Sequence, residues 1–200
     1  MTINEKGGGR GRSLLQPAMD FVALDVETTG LSPYTDKMIE IGLVRVRNGV
    51  EQECYSTLIH PERRISPRIT ALTGITNEML SGAPVIREIL PEALDFIGGD
   101  IIVGHNVSFD IGFMHAACMH VIQSGFLSDY IDTMWLSRKY FRDLPNHRLS
   151  TLVCAFGIDQ GNAHRALADA KATTRCYLYM WDQISKSKND AARAESSIGI

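Results

Sequence analysis

No stretch of this chain approaches the roughly 18 consecutive apolar residues that a spanning helix requires, so no membrane partner is expected. The opening run, Met1 to Arg12, is polar and Gly-rich and lacks the apolar centre of a secretory signal. Cys54, Cys118, Cys154 and Cys176 are scattered and form no Cys-x-x-Cys pair. Zinc ligands and disulfides are therefore not expected, and reduced thiols in a cytoplasmic protein are. An excess of positive charge is missing too, with 20 Lys and Arg against 23 Asp and Glu and a net charge of -3. Nucleic-acid binders are usually basic, which counts mildly against one. A cation held in an acidic pocket, however, reverses the local sign. Basic residues do gather locally, at Arg63-Arg64 with Arg68 and at Arg138-Lys139, Arg142, His147 and Arg148. A solvated surface accounts for the first group.

What is present is the composition of an ordinary globular domain, 200 residues with 44% hydrophobic and 22% charged. There is no internal repeat and no sign of a second domain. Residues 1–17, with three consecutive glycines, are expected to be disordered. A folded domain is expected over 18–184, followed by a polar tail over 185–200.

Phe21 to Asp25 is a short apolar run that suits a buried strand. Ile39 to Arg47 alternates well enough for another, Asn48-Gly49 is a strong hairpin signal, and Glu51 to Ile59 returns as a third. The pattern then becomes helical. Short helices are expected over Pro67–Leu72 and Leu149–Phe156, and longer ones over Pro84–Ile97, Ser108–Ile122 and Arg165 to about Ile184. Pro91 should kink or divide the first of these longer helices. Ile101–Val103 and Tyr130–Thr133 suit strands, with a helix over Met134–Tyr140 after the latter. Hairpin strands followed by strand–helix alternation predict an α/β protein, with an antiparallel meander leading into parallel strands of one mixed sheet.

Three separated segments place acids among apolar residues. They are Phe21-Val22-Ala23-Leu24-Asp25-Val26-Glu27-Thr28-Thr29-Gly30, Val103-Gly104-His105-Asn106-Val107-Ser108-Phe109-Asp110, and Ala163-His164-Arg165-Ala166-Leu167-Ala168-Asp169-Ala170. A carboxylate in apolar surroundings is costly unless it is paired or bound to metal, and hard cations such as Mg²⁺ prefer carboxylate oxygens. Asp25 and Glu27, two apart on a strand, point to the same face and repel unless a cation lies between them. Asp110 sits where a helix should start, so stabilisation by the helix dipole is an alternative account of it. His105 and Asn106 lie in a loop after a strand, where open sheets place binding sites. His164 and Asp169 are five apart, too far round a regular helix to share a face. They can meet only if His164 precedes the helix and Asp169 lies in an early turn. A histidine tied to an acid in that way suits a general base.

Asp25-Val26-Glu27-Thr28-Thr29-Gly30-Leu31, Gly104-His105-Asn106 with Phe109-Asp110, and His164 through Ala170 resemble the three motifs of the DEDDh 3′–5′ exonuclease family. That family includes the proofreading subunit of bacterial DNA polymerase III and ribonuclease T. Leu72-Thr73-Gly74-Ile75-Thr76 and Asp132-Thr133 agree with it as minor features. The resemblance covers about Met19 to Gln183 and implies a ribonuclease H-like fold. It implies two Mg²⁺ (or Mn²⁺) ions on Asp25, Glu27, Asp110 and Asp169, with Asp25 bridging both and Asp110 acting partly through water. His164 would take the proton from the attacking water, and a nucleoside 5′-monophosphate would leave the 3′ end. Thr28 and Thr29 would meet the terminal nucleotide through the backbone, Leu31 would pack on a base, and His105 and Asn106 would line the groove. Leu31 reads almost as well as a core residue. The expected partners are single-stranded or frayed 3′ ends and, by the same resemblance, a DNA polymerase subunit. DNA is the expected substrate. RNA trimming and a non-catalytic nucleic-acid-binding module are the alternatives.

Overall fold

The computed structural model of the protein describes residues 11–161 and 163–198. Its centre is a five-stranded sheet in the order β3-β2-β1-β4-β5, formed by β1 (Phe21–Thr28), β2 (Met38–Arg47), β3 (Val50–Leu58), β4 (Ile102–Gly104) and β5 (Tyr130–Asp132). β1, β2 and β3 are antiparallel neighbours, and β4 and β5 run parallel to β1. This is the mixed sheet expected from the change of pattern along the chain. The β2–β3 hairpin turns on Asn48 and Gly49, both at positive φ, as a tight two-residue hairpin demands.

Seven helices flank the sheet among the described residues: α1 (Pro67–Thr73), α2 (Asn77–Leu80), α3 (Ile86–Ile97), α4 (Ser108–Val121), α5 (Thr133–Tyr140), α6 (Leu149–Phe156) and α7 (Ala166–Ile198). Alternation along β1 divides the core. Val22, Leu24 and Val26 pack with Ile89, Leu90 and Ala93 of α3 and Ile111, Met114 and Ala117 of α4. Phe21 and Ala23 face the other way, towards Leu136 of α5, Leu152 of α6 and Ala170, Cys176 and Tyr177 of α7. Asp25 and Glu27 continue the Phe21 side of the strand and so open towards the start of α7.

Three elements differ from the sequence reading. Pro91 lies inside α3 without dividing it. The residue is exposed, so its ring faces solvent and the loss is confined to one backbone hydrogen bond. α2, a single turn capped by Thr76, was not foreseen. α7 runs through the proposed boundary at Ser185 to Ile198. At the other end, residues 1–10 of the segment expected to be disordered lie outside the described residues. Within 11–17, Ser13 bridges Tyr130 in parallel, flanked by Tyr130 N–H to Arg12 C=O at 2.9 Å and Leu14 N–H to Tyr130 C=O at 2.7 Å. Arg12 also pairs with Asp129 at 3.2 Å. An outer strand leaves N–H and C=O groups unpaired, and these residues meet that need.

Candidate active site

β1 brings Asp25 and Glu27 to one face of the sheet, and α7 supplies Asp169. One carboxylate oxygen from each lies within 4.8 Å of the other two. The ladder between β1 and β2 shifts register between Glu27 and Thr28, so the strand bends away immediately after its second acid. The loop after it is tied down. Thr28 Oγ1 donates to the Gly30 carbonyl at 2.6 Å, and Thr29 Oγ1 accepts from Lys37 N–H at 3.0 Å and from Arg63 at 2.6 Å. Arg63 also holds Asp36 at 2.9 Å, and a side chain at Gly30 would strike that Asp36 carboxylate. Arg63 is therefore a brace of the loop rather than a plain solvated charge. Leu31 is 85% exposed, which removes the core reading of it.

Asp110, in the first turn of α4, is buried, and its Oδ1 accepts the Val26 amide at 3.0 Å. It joins α4 to the strand between the two β1 acids, outside the three-carboxylate group. His164 and Asp169 meet in the way their spacing required. His164 has a φ of 62° just before α7 begins at Ala166, and its backbone N–H donates to Asp169 Oδ2 at 3.1 Å. His164 itself is exposed. Gln160 holds the other oxygen of Asp169 at 2.7 Å.

His105 departs from expectation. Its Nδ1 lies 2.9 Å from Thr133 Oγ1, which itself donates to the Gly104 carbonyl, and its Nε2 is shut off from solvent. Burial pushes its pKa down. The ring braces the β4–β5 end of the sheet and is not presented to a ligand. Asn106, next to it, is exposed at positive φ, with its N–H on Asp132 Oδ1 at 3.0 Å.

Burial, then the neighbouring carboxylates, raises the acids. Asp25 goes well above the usual range, pushed after burial by Asp110, Asp169 and Glu27. Glu27 rises to about 7 through burial, Asp169 and Glu40. Asp110 rises to about 8, mainly by burial, although the Val26 amide opposes it. Asp169 is also raised, by burial first, against the hydrogen bonds from Gln160 and His164. Such a group can be relieved by protons or by a cation. An all-oxygen donor set with no protein cation among its members suits a hard divalent metal.

Two residues of this site, Glu40 and Gly42, were missed in the sequence. Glu40, opposite Glu27 across the ladder, is 2% exposed and takes both Nε and Nη2 of Arg165, the latter at 2.8 Å, together with the Ala166 amide at 3.0 Å. It is both a neutralised acid and the anchor of the α7 N-terminus, a position the helix dipole favours. Gly42 pairs with Asp25, and a Cβ there would lie 2.3 Å from the Ala166 carbonyl carbon. Only glycine lets α7 start so close to the sheet. A lone Glu in the otherwise apolar run Met38-Ile39-Glu40-Ile41-Gly42 was the available signal.

Known proteins give the same pattern. The family model described as "Exonuclease" matches residues 22–177. The DNA polymerase III subunit epsilon of Aquifex aeolicus is 38% identical over 164 residues, covering 82% of this chain and 81% of that protein. The PolC-type DNA polymerase III of Caldanaerobacter subterraneus is 38% identical over 84% of this chain, which spans only 12% of that protein. Among solved structures, exonuclease X in complex with 5′ overhanging duplex DNA aligns with a TM-score of 0.66 at 27% identity, over 82% of this chain and 92% of that one. E. coli exonuclease I with a dT13 oligonucleotide shares the fold, with a TM-score of 0.70 at 21% identity over 81% of this chain and 41% of that one. With the family model matched across both faces of the sheet and all three acidic segments, the chain belongs to the exonuclease family.

Proposed function

We propose that this chain hydrolyses phosphodiester bonds at nucleic-acid 3′ ends, one nucleotide at a time, releasing nucleoside 5′-monophosphates. The observation that carries this reading is the group formed by Asp25, Glu27 and Asp169, three carboxylates within 4.8 Å, none of them in an ion pair among the described residues. With Asp110 in support, they would hold two Mg²⁺ or Mn²⁺ ions, which lower the pKa of water and stabilise charge on the attacking and leaving oxygens. His164, beside Asp169 but outside the carboxylate group, would accept the proton of the attacking water. Thr28 and Thr29, on the braced loop, would hold the terminal nucleotide through their backbone. The exposed Leu31 would pack against a base, and Asn106 would face the strand from the opposite rim.

DNA is favoured as substrate by the epsilon and PolC relatives and by the DNA-bound exonucleases of the same fold. A polymerase subunit is the corresponding partner, and the cytoplasm the corresponding place of work. Among the described residues no helix is long and apolar enough to cross a membrane. A paired terminus must unstack before its last phosphodiester can reach the acids, at a cost of a few kcal/mol. Frayed or mismatched 3′ ends should therefore be cut faster than matched ones.

A 5′-labelled oligonucleotide tests the reading. Shortening by single nucleotides should stop in excess chelator and return with Mg²⁺ or Mn²⁺. Undiminished activity in chelator would end the metal reading. His164→Ala should cost about 10²–10⁴ in single-turnover rate, the usual worth of a positioned base. Its Mn²⁺ affinity by calorimetry should stay close to that of the wild type. Loss of metal in that variant would make His164 a ligand instead.

A further inference from the structure

We propose that the exposed face of α5, with the loop leading to α6, is a track for single-stranded nucleic acid, running from the rim of the acidic pocket and taking phosphates on Arg138, Arg142 and Arg148 and a base on Trp135. The proposal rests on the nuclease reading above for its direction.

Unpaired positive charge gathers here beside an exposed indole, whereas Arg64 and Arg68, also exposed and unpaired among the described residues, have no aromatic ring next to them in the same way. Arg12, Arg45, Arg47, Arg63, Arg165 and Arg175 each pair with a carboxylate. Arg138, Lys139, Arg142 and Arg148 are all exposed, and none forms an ion pair among the described residues. The adjacent acids do not cancel them. Asp143 is a single exposed carboxylate, and Asp132 is spent on backbone amides. In a chain of net charge -3, four uncompensated cations on one surface favour an anionic occupant.

The surface adjoins the site. Asp132 Oδ1 accepts from Asn106 N–H at 3.0 Å, Met134 N–H at 2.9 Å and Trp135 N–H at 3.4 Å. One oxygen thus fixes the first turn of α5 against the loop that carries Asn106. Trp135 stands at that junction with 42% of its surface exposed, which is expensive for so large an apolar ring. Arg138 and Lys139 follow one turn later on the same side. Lys139 Nζ sits 4.9 Å from the centre of the Trp135 ring, keeping the cation and the stacking surface together. The connecting loop is also held. His147 Nδ1 lies 3.0 Å from Ser137 Oγ, and Phe141 packs on Phe156 at 5.3 Å. Arg142 and Arg148 are thereby kept beside α5.

The plainer explanation is that Arg138 and Lys139 complement the dipole in the last turn of α5. It accounts neither for Arg142 and Arg148 outside the helix nor for an indole left partly exposed beside them. A basic groove with an aromatic platform is the general solution for binding single strands.

The test is anisotropy of a fluorescent dT12 oligonucleotide with the full chain in chelator, where no strand is cut, over a series of salt concentrations. Arg138→Ala/Arg142→Ala should bind on the order of tenfold more weakly, and its slope of log K against log salt should be shallower by about 1.4, at about 0.7 per phosphate released. Arg64→Ala/Arg68→Ala removes the same charge from another exposed surface and should bind within about twofold of wild type. Trp135→Ala should lose about fivefold or more with an unchanged slope. Equal weakening of both double variants, or wild-type binding and slope in Arg138→Ala/Arg142→Ala, would overturn the track. The parent reading is judged separately by hydrolysis of the same oligonucleotide with Mg²⁺. A chain that binds along α5 but never cuts would keep the track and lose the nuclease, and one that cuts while ignoring α5 would do the reverse.

Discussion

Glu27 and Glu40 face each other across the β1–β2 ladder, yet the protein treats them in opposite ways. Glu40 is almost fully enclosed and receives a bidentate guanidinium and a helix amide. Glu27, nearer to solvent, shares its space with Asp25 and Asp169, and its pKa is pushed to about 7. Arg165 lowers the pKa of Glu27 only as a lesser influence than the burial and carboxylates that raise it. One acid is satisfied by the chain and holds the fold. The other is left unsatisfied beside two more acids, and that deficit is what a cation would fill. A buried carboxylate is thus not itself a sign of function. What its neighbours supply decides the matter.

The comparison breaks most sharply at Asp25. Asp25→Asn should lower the hydrolysis rate by about 10³-fold or more, since it removes a ligand from a site worth several kcal/mol to the transition state. The same change relieves repulsion, so the variant should melt above wild type in chelator by differential scanning calorimetry. A lower melting temperature there would show that Asp25 is satisfied in the way Glu40 is.

Arg165→Met acts on the other side of the ladder. Removing one partner of a buried pair strands the remaining charge at about 3–5 kcal/mol. Because Arg165 is 39% exposed, about 2–3 kcal/mol is the better figure. Urea denaturation should show that loss, and Glu40→Gln/Arg165→Met should recover part of it. Activity at a temperature where the variant stays folded should fall far less than in Asp25→Asn.

The smallest effect is a pH dependence confined to the unsatisfied group. Glu27, Asp25, Asp110 and Asp169 all have raised pKa values when folded, so the folded state binds protons that the unfolded state has released. Between the unfolded value, about 4.5 for Glu27, and its folded value of about 7, stability must therefore fall as pH rises. For Asp110 the window extends to about 8. In chelator the melting temperature should drop by several degrees from pH 5.5 to pH 8. Saturating Mn²⁺ should flatten that slope, because the cation takes over from the protons. A melting temperature that rises with pH in chelator would contradict the arrangement.

The strands, the hairpin and the long helices were legible because their signals are local. Apolar alternation, Asn48-Gly49 and the helical spacing of α3 need no knowledge of the rest of the chain. The His164–Asp169 geometry was also readable, since five-residue spacing admits one arrangement at a helix start. Glu40 was not, because its role depends on the β1–β2 register across a nine-residue loop and on Arg165, far along the chain. Gly42 carries no local signal, and only the start of α7 lying against it shows why glycine is needed there. His105 carried a motif position, but only tertiary packing shows its ring turned in towards Thr133. Single-turn α2 is too short for periodicity to reveal.

The few residues laid along β5 bear on how the protein behaves in a test tube. A bare outer strand is a template for intermolecular pairing, and here Arg12 to Leu14 occupy it. A version trimmed to start at Ala18 would keep every acid of the pocket while uncovering that template. Such a preparation would combine full specific activity with a tendency to precipitate on concentration, and the cure would be to restore the chain from Arg12 rather than to change the buffer.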